Sequence, residues 1–160
     1  MSASASAPAV DFDPKDPVAL AQALVRAETV TPDEGAGIGL LEAALSSAGF
    51  RCLRCDRGGV ANLFARFGFS GPVLGFNGHT DVVPTGDPAA WSRPPFSGEI
   101  AEGRLHGRGA CDMKTGVAAF VAAALRWAEG RDPQATGSLS LLITGDEEGP
   151  SEHGTVAILD

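Results

Sequence analysis

Ser138-Leu139-Ser140-Leu141-Leu142-Ile143-Thr144 runs directly into Gly145-Asp146-Glu147-Glu148-Gly149. A compact apolar run that ends in a glycine-bounded acidic turn reads as a buried strand carrying polar residues to a sheet edge. The segment before it, Lys114 to Glu129, is the clearest helix of the chain. Val117, Phe120, Val121, Ala124, Leu125 and Ala128 trace one apolar stripe along it, and Gly130 ends it. A helix feeding a buried strand points to layered α/β architecture. In such sheets ligands sit beyond the C-terminal ends of strands, where the acidic turn falls.

Working outward, Asp16-Pro17 predicts a helix start, with an N-cap and a proline in the first turn. Ile38, Leu41, Leu45 and Ala48 mark a second helix stopped by Gly49, after a break from Thr29 to Gly35. Strands are predicted over Phe50 to Asp56, Asn62 to Phe67 and Val73 to Asn77. A loop rich in Pro, Gly and Asp follows from Gly78 to Pro95, then short strands near Gly98 to Ala101 and Arg104 to His106. The expected fold is α/β, with a mixed, partly parallel sheet flanked by helices.

The 160 residues suit one domain with a core, and 44% of them are hydrophobic. The formal net charge is -8 and Lys and Arg form no block, so nucleic acid and anionic membrane lose their electrostatic basis as partners. An anionic substrate therefore needs local cations. The opening MSASASAPAV lacks the basic start and apolar stretch of a secretory signal, so residues 1–15 are expected to be a disordered tail. The longest uninterrupted apolar run, Val117 to Leu125, is far too short for a membrane span. These features lead to an expectation of a cytoplasmic protein. Cys52, Cys55 and Cys111 are odd in number, and Cys52 and Cys55 read as strand residues rather than as a redox or zinc pair.

Three clusters hold residues able to do chemistry. Gly78-His79-Thr80-Asp81 follows an apolar strand, and a carboxylate two residues from an imidazole is placed to fix its tautomer. Asp112, in Gly107-Arg108-Gly109-Ala110-Cys111-Asp112-Met113-Lys114, stands just before the strongest helix, where a plain N-cap is the ordinary reading. Asp146-Glu147-Glu148 crowds three carboxylates at the end of the buried strand, an arrangement that calls for a cation. His, Asp and Glu together suit Zn²⁺ or a similar divalent ion in hydrolysis, with a nearby Glu as general base.

GHTDVVP, GRGACDMKTG and ITGDEEGP resemble, in order, the signature segments of the family of acetylornithine deacetylase, succinyl-diaminopimelate desuccinylase and metallo-carboxypeptidases. The resemblance runs from about Asp16 to the last residue. GHTDVVPTGDPAAW, PPFSGEI and GRLHGRGACDMK are most similar to its desuccinylase branch. It implies a two-metal, aminopeptidase-like catalytic domain that uses two Zn or Co ions. His79 is implied to bind one metal, Asp112 to bridge both ahead of a cis peptide, and Glu148 to bind the other. Asp81 is implied to orient His79, and Glu147 to be the general base that activates the attacking water. The implied reaction cleaves N-succinyl-LL-diaminopimelate to succinate and LL-diaminopimelate, on the route to lysine and peptidoglycan.

His106, Thr115 and Glu152-His153 depart from common family residues, away from the implied ligands. The family's catalytic domain continues past the equivalent of Asp160, with further ligands and a lid domain through which full-length relatives form homodimers. Residues 16–160 are therefore expected to be the N-terminal portion of that domain. A catalytic zinc keeps about three protein ligands, so a pair sharing one bridge needs about five, and the motifs here offer three.

Overall fold

A computed structural model describes residues 11–31, 36–135 and 137–160. The expected tail over residues 1–10, and positions 32–35 of the expected break, lie outside the described residues. Residues 11–15 are tied to the body of the domain: Phe12 packs against the core and Lys15 pairs with Glu129 at 2.7 Å.

Helix α1 covers Pro17–Arg26, and the Asp16 carboxylate accepts from the Val18 N–H at its start. Helix α2 covers Ala36–Ser47, and Gly49 beyond it takes φ +85°. Strands β1 (Arg51–Arg54), β2 (Asn62–Phe67), β3 (Val73–His79) and β6 (Ser138–Thr144) form one sheet in the order β1-β2-β6-β3. β1–β2 and β2–β6 are antiparallel and β3–β6 is parallel, so the sheet is mixed as expected. Strands β4 (Glu99–Ala101) and β5 (Arg104–His106) form a separate hairpin, tied to α1 by Gln22 Nε2 donating to the Gly98 carbonyl. Helix α3 covers Thr115–Ala128, and a short helix, α4 (Thr155–Leu159), follows β6.

The period of two along β2 and β6 sorts their side chains by face. Leu63, Ala65 and Phe67 join Leu139, Leu141 and Ile143 beneath Leu20, Leu24, Leu41, Leu45, Val117 and Val121 from the three main helices. The opposite face carries Leu53 and Phe64, with Leu53 and nearby Phe69 left exposed.

One boundary at the site departs from the sequence reading. β3 runs on through Gly78 and His79, because its ladder with β6 continues to the pair His79↔Thr144. Gly78 is a packing residue: a Cβ there would come within 3.1 Å of Val117 Cγ2 and 3.2 Å of Phe120 Cε1. A glycine in that place lets α3 lie close on the strand.

Candidate metal centre

Adjacent parallel strands bring two of the motifs together. β3 ends on His79 and β6 ends on Thr144, and the Thr80 N–H donates to the Thr144 carbonyl at 2.9 Å just beyond. The acidic turn after β6 thus starts beside His79. The third motif arrives from above, where the chain enters α3. Asp112 and Met113 leave helical geometry there, with φ near −131° and −129°, and their peptide bond is cis. Asp112 caps nothing: α3 starts after Lys114 without a side-chain cap, and the Asp112 side chain is 76% exposed. The ordinary N-cap reading of Asp112 therefore does not hold.

His79 Nε2 lies 3.2 Å from Asp112 Oδ1 and 3.6 Å from Glu147 Oε2. One ligand atom each from His79, Asp112 and Glu148 falls within 4.8 Å of the others. His79 Nδ1 faces the carbonyl of Asp81 at 3.0 Å and its carboxylate at 3.4 Å. An N–H held at Nδ1 leaves the Nε2 lone pair directed at the carboxylates, which requires a proton or a cation between them. The fully buried Asp81 carboxylate also accepts from the backbone N–H of Glu147 at 3.2 Å and of Glu148 at 3.0 Å. Asp81 therefore touches both the imidazole and the acidic turn.

A divalent cation fits this donor set. Imidazole nitrogen and carboxylate oxygen are the ligands such ions take in hydrolytic sites, and they converge here at ligand spacing. Burial, joined by repulsion from Asp112, Glu147 and Asp81 and partly offset by His79, raises the Glu148 pKa. That is the strain a cation relieves.

Two residues at the centre, Lys114 and Asp146, were given no individual role by the sequence reading. Lys114 is completely buried, and its Nζ donates to the Ala27 carbonyl at 2.8 Å. Burial lowers its pKa to about 8, with Asp81 opposing the fall, so the ammonium is mostly charged at neutral pH. Asp146 is also buried, and its Oδ2 accepts from the His153 N–H, holding the far side of the acidic turn. Its position at the end of a buried strand was the available signal. His106 and His153 take no part in the cluster. Cys52, Cys55 and Cys111 are free thiols.

For His79, burial works against the imidazolium but is outweighed by hydrogen bonds and charge from Asp81, with a further bond to Asp112. The pKa rises from 6.5 to about 9. A raised pKa means stabilisation by the proton, fully present below 6.5 and lost as pH climbs through 9. A metal ion must displace that proton. Affinity for a divalent probe ion is therefore expected to rise by about tenfold per pH unit across this window and then flatten. Competition against a chromophoric chelator measures it; an affinity flat from pH 6.5 to 9 would contradict the assignment.

Among the described residues no helix is long and apolar enough to cross a membrane. The chain is 61% identical over 149 residues to a succinyl-diaminopimelate desuccinylase of Cereibacter sphaeroides, and 58% identical over 146 residues to one of Paracoccus denitrificans. These matches cover 92% and 91% of this chain but only 39% and 38% of the relatives. The chain thus spans about two fifths of the length of the curated relatives it matches. Human carnosine dipeptidase 1 shares the fold, with a TM-score of 0.67 and 24% identity, over 89% of this chain and 34% of that one. So does an M20 family metallo-carboxypeptidase from Sulfolobus solfataricus, with a TM-score of 0.66 and 21% identity, over 83% and 31%. The sequence profile of peptidase family M20/M25/M40 matches residues 75–160, which include all three motifs of the site, and the chain belongs to that family.

Proposed function

We propose that residues 16–160 form the N-terminal, metal-holding portion of a desuccinylase catalytic domain that cleaves N-succinyl-LL-diaminopimelate to succinate and LL-diaminopimelate. The 61% identity to a desuccinylase, sustained over 92% of the chain, carries this reading. The convergence of His79, Asp112 and Glu148 supports the chemistry.

His79 and Glu148 would each hold one divalent ion, zinc or cobalt, with Asp112 between them. When bound, the ions supply Lewis-acid polarisation of the scissile amide. Asp81 keeps the His79 N–H at Nδ1, so that Nε2 is free for the metal. Glu147 is fixed through its backbone to Asp81 while its carboxylate stays exposed beside His79. In this reading Glu147 takes a proton from the attacking water and returns it to the departing amine. The rest of the catalytic domain, a lid that contacts the substrate carboxylates, homodimerisation through that lid and a cytoplasmic location belong to the same proposal.

A chimera tests it, with residues 16–160 replacing the corresponding segment of the Cereibacter sphaeroides enzyme. It is expected to hydrolyse N-succinyl-LL-diaminopimelate and to support growth, without added diaminopimelate, of a bacterium lacking its own desuccinylase. A folded, metal-loaded chimera that cleaves N-acetylornithine in preference would assign the chain to the sister activity.

A further inference from the structure

We propose that Lys114 is a positioning residue for the metal site, its buried ammonium tying the Asp112 turn to the end of α1 and holding positive charge beside Asp81. The inference rests on the metal-site reading above and concerns a residue outside the ligand set.

The chain has two lysines. The side chain of Lys15 is exposed and ion-paired on the surface, whereas Lys114 is completely buried. A buried ammonium is costly unless fixed partners compensate it. Its hydrogen-bond acceptor is the Ala27 carbonyl, at the C-cap of α1, where the helix presents its negative end. Its stem crosses Gly109, where a Cβ would lie 3.0 Å from Lys114 Cδ and 3.3 Å from Cε. The same Cβ would overlap Val82 Cγ1, so the lysine runs alongside the residue that follows Asp81. Gly109 takes φ +79° at this crossing, and the Lys114 N–H donates to its carbonyl at 2.9 Å.

The strand end is clamped from the same direction. The Val82 N–H donates to the Thr29 carbonyl and the Thr31 N–H to the Val82 carbonyl. Lys114 therefore joins the turn bearing Asp112 to the end of α1, and Gly109 beneath its stem also borders Val82, next to Asp81. Asp81 in turn touches His79 and the backbone of Glu147 and Glu148. Filling this position with an apolar side chain would satisfy packing alone. A lysine reaches a carbonyl that no apolar group can satisfy, and its charge is attracted by the buried Asp81.

The test measures zinc affinity by chelator competition at pH 7 for the 160-residue chain and for the Lys114→Met, Asp81→Asn and doubly substituted variants. Lys114→Met is expected to weaken zinc binding by about 10–100-fold, the range typical of residues that orient metal ligands. In the Asp81→Asn background the same change is expected to cost less than about threefold, because the charge acts through Asp81. A role confined to folding would lower the melting temperature and leave zinc affinity within about threefold, overturning the proposal.

A second readout needs no substitution at Lys114. With ¹⁵N-lysine label, the buried Nζ signal is expected to shift on zinc addition in the parent and to stay fixed in Asp81→Asn. Should Lys114→Met fail to fold, that signal decides: an Nζ resonance unmoved by zinc in the parent overturns the proposal. If the parent itself binds no zinc, the metal-site reading falls and this inference with it. If the parent binds zinc but Lys114→Met binds equally well, only this inference falls.

Discussion

Glu147→Gln, placed in the desuccinylase chimera, is expected to lower kcat by about 10²–10⁴-fold while leaving metal content unchanged. The two adjacent glutamates differ in their surroundings, which is why their substitutions should differ in kind. Glu148 contributes a ligand atom to the cluster with His79 and Asp112, whereas Glu147 stands 3.6 Å from His79 Nε2 with its side chain 58% exposed. Replacing Glu147 by Gln keeps the size and the backbone bond to Asp81 and removes only the proton acceptor. Glu148→Ala removes the proposed ligand of one ion and should lower metal occupancy. Metal content and turnover, measured on the same preparations, separate the two roles. Loss of metal from Glu147→Gln with retention by Glu148→Ala would reverse the assignment.

The 160-residue polypeptide assayed alone is expected to show no hydrolysis of N-succinyl-LL-diaminopimelate above background, even with added Zn²⁺ or Co²⁺. A catalytic zinc keeps about three protein ligands. Two ions sharing Asp112 would find one further ligand each in the cluster among the described residues. The sheet face away from the main helices also bears Leu53 at 58% exposure beside Phe69 at 56%, an apolar surface that favours association. Light scattering on the purified chain would report that association, and an amide-cleavage assay would report the turnover. Hydrolysis that a chelator abolishes and metal restores would show that the chain completes its own site.

How much was legible in advance depended on whether the information was local. β6 and α3 were readable because their periods are written in consecutive residues, and the observed ranges Ser138–Thr144 and Thr115–Ala128 match or nearly match the expected ones. The end of β3 was not, because Gly78 looks like a break when read alone. Its role as the place where Val117 and Phe120 approach the strand is a tertiary fact. The short α4 was missed for a similar reason: with Val156 at 48% and Leu159 at 71% exposed, no apolar stripe announces it. Within the site, His79, Asp81, Asp112, Glu147 and Glu148 stood out through their motifs, and the sequence pointed to Asp81 as the partner of His79 but not to its second use. Its carboxylate spans from the imidazole to the 147–148 backbone, a link between strands that only the β3–β6 pairing creates. Lys114 left no trace at all, since a lysine at the start of a helix ordinarily lies in water.

Calorimetric titration of zinc into the 160-residue chain, repeated on His79→Ala, Asp112→Ala and Glu148→Ala, tests the metal centre most directly. The convergence of those three ligand atoms within 4.8 Å predicts saturable binding by the parent. Each alanine variant should lose at least about tenfold in affinity, while a control at the exposed Glu152 stays unchanged. A parent that takes up no zinc, or alanine variants that bind as the parent does, would contradict the assignment of this cluster as a metal site.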